Sequence, residues 1–228
     1  MRTIKSRALI LVAVGSVSVV TAGSALAALV EGTDGDDRLF GTRAADTILA
    51  KAGNDGVFAM GGNDGVDAGD GNDTVFGNKG GDRISGGPGD DFVDAGRGPD
   101  AAFGEDGNDV VLGRPGRDEV RGRSGDDIVR GGRDSDLVFA GPGVDTTFGG
   151  PGGDVMFALA HTDAALPGGD TVSGGRGGDV IRVNDGESDT VDCGRDRDRV
   201  VVDLGGLDTV SHCEVIISRA PNPVEDDQ

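Results

Sequence analysis

From Gly32 to Phe157 the chain alternates single apolar positions with glycine-rich polar stretches on a period of nine, giving fourteen units without a gap. The eighth place of each unit reads Leu39, Ile48, Val57, Val66, Val75, Ile84, Val93, Ala102, Val111, Val120, Val129, Val138, Thr147 and Met156, apolar in every unit but that of Thr147. The sixth place is always aspartate: Asp37, Asp46, Asp55, Asp64, Asp73, Asp82, Asp91, Asp100, Asp109, Asp118, Asp127, Asp136, Asp145 and Asp154. The first place is always Gly or Ala, and the fourth is Gly except at Ala44 and Asp134. One apolar side chain flanked by polar ones suits a three-residue strand whose middle residue points inward. The six residues between strands, rich in Gly, suit a tight turn with positive φ angles. Pro88, Pro99, Pro115, Pro142 and Pro151 all fall in the expected turns, where proline removes no ladder N–H. The expected fold is an all-β solenoid with a thin core.

A second period lies over the first. Odd turns, starting at Gly32, Ala50, Ala68, Gly86, Gly104, Gly122 and Ala140, add seven acids to the fixed aspartates: Asp34, Asp36, Asp70, Asp90, Glu105, Asp106 and Asp126, against the bases Lys51 and Arg123. Even turns add only Asp134 and hold Arg43, Lys79, Arg97, Arg114, Arg117 and Arg133. The turn residues therefore sum to −12 on one edge and −2 on the other. A period of eighteen means two turns per coil, and the acidic edge is expected to be the stronger cation ladder.

These residues resemble the repeats-in-toxin family of calcium-binding nonapeptides, with the signature G-G-x-G-x-D-x-U-x. Gly86-Gly87-Pro88-Gly89-Asp90-Asp91, Gly149 to Asp154 and Gly174 to Asp179 match its turn in full. The resemblance is dense over 32–157 and loose over 165–211. It implies a parallel β-roll that holds Ca²⁺ between successive turns through Asp carboxylates and turn carbonyls. The physical fit is direct, since Ca²⁺ takes six to eight oxygens in a tolerant geometry and stacked turns can share one ion. One small aliphatic per nonad gives little burial against the ordering of nine residues, and the carboxylates repel one another. Ion binding is therefore expected to drive folding.

The remainder is organised around the array. Arg2, Lys5 and Arg7, the apolar run Ala8–Val20 and Ala25-Leu26-Ala27 have the layout of a signal peptide over 1–27, with cleavage after Ala27 and a retained anchor as the alternative. Residues 158–164 read as a seven-residue insertion with His161 in a loop, after which the phase resumes with Asp170 and Asp179 as further ligands. Looser units around Asp189, Asp198 and Asp208 follow, and Cys193 with Cys213 is read as a disulfide clipping a cap over 165–217. Residues 218–228 are expected to be an acidic, disordered tail.

Composition narrows the function. The chain of 228 residues has 44 Gly, no Trp or Tyr and a net charge of −20, which becomes −23 without residues 1–27. Such charge disfavours nucleic acid and suits cations. No Gly-x-Ser-x-Gly, His-Glu-x-x-His or phosphate loop occurs, and His161 and His212 are the only histidines, so an enzyme is not expected. The reading is a secreted, monomeric calcium-binding protein with a structural or interaction role. The alternatives are an adhesin or matrix-binding module, using the ninth-place Phe residues or the basic edge, and an accessory domain of a secreted hydrolase.

Overall fold

The computed structural model describes residues 9–12, 27–158 and 169–220. Among them all regular structure is strand, in two parallel sheets of twelve and ten strands. Strands that follow even turns form the larger sheet, those that follow odd turns the smaller, and the chain changes sheet at every turn. Register is fixed at eighteen residues: Leu39 lies beside Val57, and Val57 beside Val75. The expected parallel β-roll is therefore the observed fold, with two turns per coil.

The eighth-place residues project between the sheets and are buried, Leu39, Val75, Val111 and Val138 completely. The core is wider than one side chain per nonad, because first-place alanines (Ala50, Ala59, Ala68, Ala95 and Ala140) join it at full burial. Where the first place is Gly, the carboxylate of the same turn fills the space. A methyl group on Gly104 would lie 2.1 Å from Asp109 Oδ2.

Some strands reach further than three residues. Arg83–Pro88, Val110–Pro115 and Thr146–Pro151 run into the following turn and end on proline at the third place. Proline is tolerated there because only its carbonyl is used. Pro88 O accepts from Gly71 N at 2.9 Å, and Pro151 O accepts from Asp134 N at 2.9 Å.

The ends depart from the expected boundaries. Ala158 is fully buried, and its N–H donates to Arg182 O, as Ala140 N–H does to Phe157 O. Ala158 thus occupies the first place of an odd turn, and Asp170 its ladder position. The rest of the expected insertion, His161 included, lies outside the described residues. At the C-terminus, Ser218 and Arg219 belong to the strand Val215–Arg219 and pair with Val202 and Asp203, so the chain stays ordered past the point where a tail was expected to begin. Residues 221–228 lie outside the described residues. The signal-peptide reading falls almost wholly outside them too, except that Leu9–Val12 forms a strand parallel to Ala28–Glu31. Among the described residues no helix is long and apolar enough to cross a membrane.

Candidate metal ladders

Each sixth-place aspartate turns its side chain into the roll, where it is almost fully buried on both edges. Oδ1 accepts the main-chain N–H of the aspartate one coil earlier: Asp73 N donates to Asp91 Oδ1 and Asp91 N to Asp109 Oδ1 on the odd edge, at 2.7 and 2.8 Å. Asp82 N donates to Asp100 Oδ1 and Asp100 N to Asp118 Oδ1 on the even edge, at 2.7 and 2.9 Å. The same bond joins Asp145 to Asp170 and Asp154 to Asp179 across 25 residues, the period of eighteen lengthened by seven, so the later pair extends both ladders. Asp189 and Asp198 carry them one coil further.

The second oxygen is the unusual one. Oδ2 of Asp55, Asp64, Asp73, Asp82, Asp91, Asp100, Asp109, Asp118, Asp127, Asp136, Asp154, Asp170 and Asp179 is buried without a hydrogen-bond partner. An unsatisfied buried carboxylate oxygen is expensive, and each coil repeats the cost. Burial is the main cause that raises these acids: Asp91, Asp127 and Asp136 are pushed up to about 7, and Asp73, Asp82, Asp100 and Asp109 to about 6. Hydrogen bonds from the neighbouring coil oppose the rise, while like charges above and below add to it.

Carbonyls stand beside the orphaned oxygens. A methyl group on Gly86 would lie 2.3 Å from Asp91 Oδ2 and 2.7 Å from Gly104 O, and one on Gly122 2.3 Å from Asp127 Oδ2 and 2.6 Å from Ala140 O. Among the described residues no three His, Cys, Asp or Glu side chains converge. A cation here must therefore take its oxygens partly from the main chain. Such an all-oxygen donor set suits a hard ion.

A family model for the RTX calcium-binding nonapeptide repeat matches residues 31–66, 67–102, 95–120, 103–138 and 121–156. The chain belongs to this family. No curated protein matches it. RTX repeats are calcium-binding motifs, and the donor set of this RTX array, partnerless carboxylate oxygens beside main-chain carbonyls, fits that ion.

The first coil of the array differs from those after it. Asp37 Oδ2 accepts from the N–H and hydroxyl of Thr33, while Thr42 gives its N–H to Asp46 Oδ2 and its hydroxyl to Asp46 Oδ1. Threonine at the second place thus closes both ladders at their N-terminal ends. The C-terminal ends are closed by Asp208 and Glu214, which accept from Asp189 N and Asp198 N. The sequence signal for the amino-terminal caps is threonine at the second place, which occurs in the array only in its first two units.

A further ladder runs along the odd edge alone. Fifth-place side chains accept N–H groups from the next coil: Asn54 N to Asp36, Asn72 N to Asn54, Asp90 N to Asn72, Asn108 N to Asp90 and Asp126 N to Asn108. The even edge has two isolated equivalents, on Asn63 and Ser135. The inner ladders of the two edges are thus alike, and the difference between edges resides in exposed residues. On the even edge, Arg43, Lys79, Arg97, Arg117 and Arg133 are exposed and ion-pair with no described residue, whereas Arg114 pairs with Asp94 at 2.6 Å.

The ninth-place phenylalanines point away from the core and stack along the sheets, Phe40 on Phe58 at 5.1 Å and Phe58 on Phe76 at 5.2 Å. Arginines lie over the rings: Arg38 over Phe58, Arg121 over Phe139 and Arg130 over Phe148. Cys193 and Cys213 form a disulfide in the last coils. His212 lies 2.8 Å from Asp192 and takes no part in the ladders.

Proposed function

We propose that the protein is a secreted structural or interaction module whose folding is driven by Ca²⁺ bound between successive turns. In this reading Oδ2 of the sixth-place aspartates and the first-place carbonyls of the following coil hold the ions, from the second coil of the array to Asp179. The supporting observation is the row of buried, partnerless Oδ2 atoms on both edges. A bound cation removes the desolvation and repulsion that those atoms impose, and its binding free energy becomes folding free energy. Export fits the N-terminal sequence pattern and the disulfide, which forms in oxidising compartments.

The test is far-UV circular dichroism of the full chain in EGTA, titrated with Ca²⁺ and, separately, with Mg²⁺. The expected result is a coil spectrum that becomes β only with Ca²⁺. A β spectrum indifferent to chelation would overturn the coupling. One observation favours an interaction role over a purely structural one: the unpaired arginines of the even edge are available to an acidic surface. Retention on an anionic matrix that depends on Ca²⁺ and is abolished by charge reversal at Arg97 and Arg133 is the expected sign of it.

A further inference from the structure

The carboxy-terminal end of the roll is left uncovered. Ile216 stands in register beside Val200, at the inward position of its strand, and Val210 stands likewise beside Val191. Val200 and Val191 are buried, whereas Ile216 is 51% exposed and Val210 only partly buried, because no described coil follows theirs. Six large apolar side chains are exposed among the described residues, and three of them, Leu204, Leu207 and Ile216, belong to this last coil. Val215–Arg219 and Thr209–Ser211 are also the outer strands of the twelve- and ten-stranded sheets, so both sheets end here on an edge that no described strand pairs. An apolar end with two open edges is a template for further strands.

Three covers are at hand, and the chemistry of the chain disfavours two. Residues 221–228 carry Pro221, Pro223, Glu225, Asp226 and Asp227 and a single large aliphatic, Val224, so they supply neither a run of ladder N–H groups nor an apolar row. The amino-terminal end of a second copy is closed. Val30 and Leu39 are fully buried there, Leu9–Val12 already pairs with Ala28–Glu31, and Thr33 and Thr42 hold the leading carboxylates. The carboxy-terminal end of a second copy has what is needed, an uncovered Ile216 between two free strand edges.

We propose that two copies of the chain associate carboxy-terminal end to carboxy-terminal end across a twofold axis. Val215–Arg219 of each copy pairs antiparallel with its counterpart, and the two Ile216 side chains join the cores of the two rolls. Identical ends are self-complementary under a twofold, and the closed pair leaves no open end from which to grow. The end of a roll is small beside the roughly 800 Å² per partner of a stable complex, so the dimer is a weak one. The chain is then a reversible dimer in place of the monomer expected from its sequence.

The test is sedimentation velocity of the full chain in saturating Ca²⁺. A monomer–dimer equilibrium is expected, with the dimer fraction rising over about 1 to 100 µM protein. Ile216→Asp and, separately, Leu204→Glu are each expected to weaken dimerisation about tenfold or more, whereas Met60→Glu, at an exposed apolar position in an early turn, leaves it unchanged. Leu204→Glu guards against a folding defect, since that side chain is 59% exposed and lies outside the core. A chain that stays monomeric over the whole range would overturn the proposal and leave residues 221–228 as the cover. Dimerisation unaltered in either variant, or assembly that continues beyond the dimer, would overturn it as well. If the roll winds without Ca²⁺, the dimer is expected in EGTA too, so failure of calcium-driven folding leaves this test intact.

Discussion

Thr147 is the residue at which the core pattern breaks. It stands at an eighth place, fully buried, and its hydroxyl has no hydrogen-bond partner. Valine has the same shape without the stranded oxygen, so Thr147→Val is expected to stabilise the roll by about 1 kcal/mol, read as a higher midpoint in urea. Fourth-place glycines show the opposite constraint. Gly89 has φ 137°, and a methyl group there would lie 2.1 Å from Gly71 O in the coil before. Gly89→Ala is therefore expected to cost about 2 kcal/mol or more, from the left-handed backbone and the collision together, measured in the same way. Second-place residues also adopt positive φ, yet Lys51, Met60, Glu105 and Arg123 occupy such positions. Their backbone strain was hidden in the sequence because the second place varies.

The turn is the element on which function rests, and sequence made it only half legible. The fixed aspartate, the period of eighteen and the charge difference between edges were all readable, because each repeats one residue type at one place. The outer ladder was not, because its fifth place is Asp in some coils and Asn in others and only their shared carbonyl-type oxygen matters. The threonine caps escaped notice for a similar reason, since one Thr per edge looks like ordinary variation until its hydrogen bonds to Asp37 and Asp46 are seen. The expected difference in ion-ladder strength between the edges does not show in the buried aspartates, which both edges share. What the odd edge has in addition is lamination. Asn108→Ala removes the acceptor of Asp126 N and is expected to cost about 1 kcal/mol, whereas Ser135→Ala on the even edge should cost less, by thermal denaturation in saturating Ca²⁺.

Across the whole molecule the raised aspartates set an unusual pH response. An aspartate ordinarily loses its proton near 3.9, whereas Asp91, Asp127 and Asp136 in the folded roll do so at about 7. Between those values the folded state holds protons that the unfolded chain has released, so stability without metal falls as pH rises through this window. Calcium reverses the sign, because the ion needs the ionised carboxylates and displaces those protons. Without metal the residual β content is expected to be greater at pH 5 than at pH 8, and the gain on adding Ca²⁺ should be larger at pH 8. Far-UV circular dichroism at the two pH values checks both.

The inner ladder also gives the roll a direction. Every sixth-place aspartate N–H of the array reaches forward to the carboxylate of the following coil, never back. At the amino-terminal end the threonines have already engaged the leading carboxylates. A part-wound roll therefore presents one aspartate N–H on each edge at its carboxy-terminal face, and the next coil to arrive brings the matching oxygens. Winding from the amino end turns each finished coil into a template for its successor, so a chain that emerges amino end first can zip up in the order in which it appears.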